Sequence, residues 1–197
     1  MKSEYEEEVY TYFTQPKNFK TMLKVAEHSG KVTKRLIESF WSELEAKLRD
    51  KLQPLNTGWT VEISNTWDYK WIKLRAFKES WKLNSQRPEV AFAFECIRKG
   101  DHPYVGINIH RDSTNIDVQK MRSLIIDLEE LKSYETDANQ SWARWKFLSF
   151  ILDKEDLCLL LPSNREETLN SLAEEVLLLI DLVSDKIDRL IDECKLN

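Results

Sequence analysis

The sequence predicts an α+β fold: an antiparallel sheet of about four strands, in two hairpins, packed with N-terminal helices and a long C-terminal helix. Three observations predict it. Apolar residues recur every three or four positions toward both ends, the period changes to two between Gly58 and His110, and no internal repeat or Pro/Gly-rich linker separates the segments. Residues 1–197 therefore read as one domain, with a helical part over 1–56, a β-meander over 57–112 and a helical part over 113–197.

Each element has its own signal. Residues 3–14 are expected as a short helix with Tyr5, Val9, Tyr12 and Phe13 on one side, ended by Pro16. A second helix, from an Asn18 N-cap to Ser29, places Gly30 at a left-handed C-terminal position. Val32, Leu36, Ile37, Phe40, Trp41, Leu44, Leu48 and Leu52 then mark a strong amphipathic helix, closed by Pro54. Strands follow over 59–64, 71–75, 90–97 and 104–110, with turns near 65–68 and 99–102. A register built on tight turns sets Ile63 opposite Ile72, Phe94 opposite Ile107 and Phe92 opposite Ile109. Val118, Met121, Ile125, Leu128 and Leu131 give a helix capped near Asn115. Residues 142–152 fit a helix or a strand. Leu157 to Leu161 is a short buried segment, and the capping box Ser163-Asn-Arg-Glu166 opens a last helix over 164–194.

Composition narrows the function. Lys plus Arg total 29 against 34 Asp plus Glu, a formal charge of −5, which argues against whole-surface nucleic-acid binding and leaves room for a local basic patch. The acidic N-terminus lacks an apolar signal core and no stretch reaches the roughly 20 apolar residues of a membrane span, so a cytoplasmic protein with no membrane contact is expected. Cys96, Cys158 and Cys194 are too far apart for a CxxC ligand pair and read as reduced thiols. His28, His102 and His110 do not converge. No phosphate-loop, dinucleotide, zinc-protease or serine-hydrolase motif occurs, so no catalytic residue, metal or cofactor is expected.

The alternation assigns Trp59, Val61, Ile63, Ile72, Leu74, Phe92, Phe94, Val105, Ile107 and Ile109 to a core face of the sheet, against the helix over 31–52. The opposite face then carries Thr60, Glu62, Trp71, Lys73, Arg75, Glu95, Tyr104, Asn108 and His110 around Ala91, Ala93 and Gly106. Trp71, Lys73, Arg75, Glu95, Tyr104, Asn108 and His110 are the candidate binding residues: two aromatics to stack a ligand, and basic groups to meet its charge. The competing reading is a solvated face of cross-strand ion pairs, or one partly covered by a helix.

The order Gly58-Trp-Thr-Val-Glu, Tyr69-Lys-Trp-Ile-Lys-Leu, Trp81, Val90-Ala-Phe-Ala-Phe-Glu95 and Tyr104-Val-Gly-Ile107 resembles the region following the nuclease core in a bacterial and phage branch of the PD-(D/E)XK superfamily. The likeness spans residues 18–190. It implies an accessory region without the engine, since the catalytic Glu/Asp-x-Lys does not carry over. Glu45-Ala-Lys47, Glu130-Leu-Lys132 and Glu193-Cys-Lys195 fall on predicted helices, and Asp68-Tyr-Lys70 on a turn.

The expected function is thus a non-catalytic interaction or regulatory module, associated with a nuclease in a prokaryotic or phage defence setting. The alternatives are a nucleic-acid-binding accessory domain and, behind it, a metal-dependent nuclease with dispersed carboxylates such as Glu62 and Glu95. The heptad-like stripe of the C-terminal helix has two readings: central packing between the sheet and the N-terminal helices, or contact with a protein partner or a second copy through Val176, Ile180, Val183, Ile187 and Leu190.

Overall fold

The computed structural model describes residues 4–55, 58–63, 72–84, 86–96, 103–136, 141–148 and 160–196. Trp71, both predicted turns, His102 and Leu157–Cys158 lie outside them. The elements, in chain order, are α1 (Glu4–Phe13), α2 (Pro16–Leu52), β1 (Trp59–Ile63), β2 (Ile72–Lys78), β3 (Val90–Cys96), β4 (Tyr104–Ile109), α3 (Val118–Ile126), β5 (Trp142–Phe147) and α4 (Arg165–Cys194). The fold is α+β, as the periodicities require. The chain separates into two compact units, residues 1–39 and 40–197.

In the first unit the expected break at Gly30 is absent. Gly30 is helical, and α2 runs unbroken from Pro16 to Leu52; no positive φ occurs there, and among the described residues it occurs at Gly58 and Leu83. Glycine tolerates a helix interior at a cost of about 1 kcal/mol against alanine, and the periodic flanks outweigh it. Pro16 begins α2 instead of merely ending α1, because a first-turn residue needs no N–H. The carbonyl of Tyr12, which proline cannot bond, accepts from the Asn18 side chain at 3.0 Å. Asn18 therefore bridges the two helices rather than capping the second.

In the second unit five strands form one antiparallel meander in the order β1-β2-β3-β4-β5. Both expected registers are corrected by two residues. Ile63 faces Leu74, not Ile72, and Glu62 faces Arg75; Phe94 faces Val105 and Phe92 faces Ile107. A slip of two preserves every face, because side chains alternate with period two. Val61, Leu74, Phe92, Phe94, Val105, Ile107 and Ile109 are accordingly buried together. Trp41 of α2 meets Phe94 edge-on at 6.0 Å, and α4 lies against β3 and β4.

Residues 142–147 resolve as a strand, β5, added at the β4 edge. Its core-side Arg144 donates to the carbonyls of Ile126, at the end of α3, and Tyr134, a favourable use of a cation at a helix C-terminus. The cap of α3 is Asp117, not Asn115: its carboxylate accepts from the Lys120 backbone N–H at 3.0 Å. Asn164 rather than Ser163 precedes the first turn of α4, without a side-chain cap.

Candidate functional site

The second face of the sheet brings together most of the residues assigned to it, but changes their meaning. On β2 and β3, Lys73 lies 3.1 Å from Glu95, and Arg75 lies 3.5 Å from Glu62 on β1. These are cross-strand ion pairs that the corrected register makes direct neighbours. Burial pushes the Lys73 ammonium below its ordinary value, with Glu95 opposing the shift and Arg75 adding to it. Lys73 also sits 5.1 Å above the Trp142 ring.

Tyr104 is not available to stack a ligand. It is buried against Trp142, edge-on at 4.8 Å, and against Trp145 at 5.7 Å. The covering rings come from β5, a strand the sequence left undecided, and they form with Ala93 a small second core on this face. Gly106 is the enabling residue: a Cβ there would overlap the Arg144 carbonyl and the Trp145 backbone. Glu95 and Asn108 are buried as well, and Asn108 donates to the Ser141 carbonyl at 2.7 Å.

What stays open is a groove of about 170 Å³ beside Lys73, Arg75, Asn108 and His110, with Arg87 and Arg111 added from loops. Sequence alternation could not find these two arginines, since neither lies in a strand. The groove is largely charge-compensated: besides Glu62 and Glu95, Asp112 lies 3.3 Å from Arg111, and the buried Glu89 lies 3.7 Å from His110 Nδ1. Glu89 also accepts from the Asn115 side chain at 2.7 Å. No group of three or more His, Cys, Asp or Glu among the described residues is placed to hold a metal ion.

Of the two readings of the C-terminal stripe, the structure takes packing against the sheet, and the interface reading is corrected. Val176, Ile180, Val183 and Ile187 are buried within this chain, and Leu190 is half-buried; the stripe packs on the sheet and on α3. Asp188 accepts from Lys78 Nζ at 2.5 Å and Trp81 Nε1 at 2.6 Å, tying α4 to the sheet. Only Leu178 and Leu182 remain exposed on α4 as large apolar side chains.

The large uncovered apolar surface lies elsewhere, in residues 4–39. Tyr5, Tyr10, Tyr12, Phe19, Leu23, Val25 and Val32 are all exposed, Leu23 at 51% and Val32 at 65%. On α2, Phe19, Met22, Leu23, Ala26, Gly30, Thr33 and Ile37 follow at spacings of one, three and four, which places them on one stripe of the helix. The sequence reading named Tyr5, Tyr12, Val32 and Ile37 among these but not Phe19 or Leu23, and a periodic stripe alone does not say whether its own chain covers it. No helix among the described residues is long and apolar enough to cross a membrane. No family model, curated protein or solved structure matches the chain.

Proposed function

We propose that this chain is a protein-interaction module whose N-terminal helical unit engages a partner, with the sheet unit as its scaffold. One observation carries the reading. Seven large apolar side chains are exposed within residues 4–39, with Phe19 and Leu23 neighbours on one face of α2, and clustered exposed apolar side chains mark interaction sites. The resemblance to nuclease accessory regions is compatible with this role, since an accessory region acts by engaging another protein. The nucleic-acid reading is weaker, because Lys73 and Arg75 already face carboxylates and Tyr104 is covered.

The test is a photo-crosslinking residue at Leu23 in the full chain within the producing cells. A discrete protein adduct that disappears in the Phe19→Asp variant is expected. Illumination that yields no protein adduct would overturn the reading.

A further inference from the structure

We propose that the groove beside Lys73 and Arg75 is a site for a small phosphomonoester, its phosphoryl group held by arginines. The site lies within the sheet unit and stands independently of the N-terminal helices. Five basic side chains line it: Lys73 and Arg75 from β2, Arg87 from the loop before β3, and His110 and Arg111 from the chain leaving β4. Their charge compensation is one-sided. Glu62, Glu95 and Glu89 stand outside the lining, and Asp112 is the one carboxylate within it among the described residues. Glu95 and Glu89 are buried, so Lys73, 3.1 Å from Glu95, and His110, 3.7 Å from Glu89, are anchored from inside the protein. Cations fixed in this way lose little side-chain freedom when an anion arrives.

Donor geometry and size select the ligand. A guanidinium carries its N–H donors in a planar fork that grips an oxyanion through two bonds at once. Arg75 meets Glu62 through one terminal nitrogen at 3.5 Å, and Arg111 meets Asp112 through Nε at 3.3 Å. Glu62 and Asp112 are 43% and 74% exposed, so water screens both pairs and an incoming oxyanion displaces them at small cost. A ligand carboxylate satisfies a single fork. Three arginines from separate segments suit the three terminal oxygens of a phosphomonoester. The volume of about 170 Å³ is the space of about six waters, enough for a phosphoryl group on a short stem. At β3 the lining is Ala91, whose small side chain leaves that space open. No Phe, Tyr or Trp lines the groove among the described residues, so a nucleobase has nothing to stack on.

The experiment is an amide-shift titration of the full chain with inorganic phosphate and then glycerol phosphate, at fixed ionic strength, over about 0.05–20 mM to bracket a weak single site. Saturation is expected with both, with shifts concentrated at residues 73–75, 87–91 and 108–112. Arg75→Gln and Arg111→Gln should each raise the dissociation constant about tenfold, as for a lost hydrogen bond to a charged group. Arg111 is exposed, so its replacement leaves the fold intact. Lys24→Gln, a charge removed from the other unit, should change nothing. Shifts that grow without saturating, saturation unaltered in both arginine variants, or an equal response to acetate would each overturn the proposal. So would tighter binding of a single-stranded oligonucleotide that lacks a terminal phosphate, because the groove would then be gripping a nucleic-acid backbone.

Discussion

Two lengths of α2 carry the same kind of stripe and meet opposite fates. Over residues 40–52, Phe40, Trp41, Leu44, Leu48 and Leu52 are all buried. Over residues 19–37, Phe19 and Leu23 are exposed, and Met22, Thr33, Leu36 and Ile37 are half-buried. Helical period states that a face favours cover; it does not say whether the chain's own sheet or another molecule supplies it.

The largest test of that contrast is alanine substitution on both lengths, read by denaturant unfolding of dilute protein. Leu44→Ala is expected to cost about 2–5 kcal/mol, as for a fully buried leucine. Leu23→Ala should stay within about 0.5 kcal/mol. Equal losses would mean that the N-terminal stripe is core. On the sheet side, Gly106→Ala should cost about 1–3 kcal/mol or more, because its methyl group has no space beneath β5. A neutral result there would dissolve the second core around Tyr104.

A smaller effect carries the opposite sign. Gly30→Ala should raise the stability of dilute protein by about 0.5–1 kcal/mol, because Gly30 is helical with open space at its Cβ. The left-handed helix end read from the sequence would make the same change destabilising. Acid titration gives the smallest effect. Hydrogen bonds hold Glu79 (from Thr60 and Lys82), Glu130 (from Lys186) and Glu166 (from Lys47) below the ordinary carboxylate value of 4.5. With the folded value depressed, their contribution is present above pH 4.5 and is lost as pH falls through that value and below. All three lie in the sheet unit, so the acid-sensitive part of unfolding should follow its tryptophans and leave helicity over 16–39 unaffected.

The sequence was most legible where period alone decides. The faces of β1 to β4 are correct, while both registers missed by two residues because alternation is blind to an even slip. The second face was named residue by residue, and Lys73, Arg75, Glu95, Asn108 and His110 do gather there. Its closure was not legible: Trp142 and Trp145 cover Tyr104 from a strand whose aromatics suited a helix equally well. The stripe of α4 was legible as a stripe, and its burial on the sheet depends on contacts more than 60 residues away in sequence, such as Asp188 with Trp81. Gly30 misled because a glycine before a basic residue reads as a stop unless the flanking periods are seen to be continuous.

Hydrogen exchange along α2, measured at low and high protein concentration, tests the central claim most directly. Amides over residues 44–52 should exchange only through global unfolding at both concentrations. Amides over residues 20–37 should be weakly protected when dilute, exchanging through local opening. Strong, concentration-independent protection along the whole helix would contradict the account, because residues 19–37 would then be covered by their own chain.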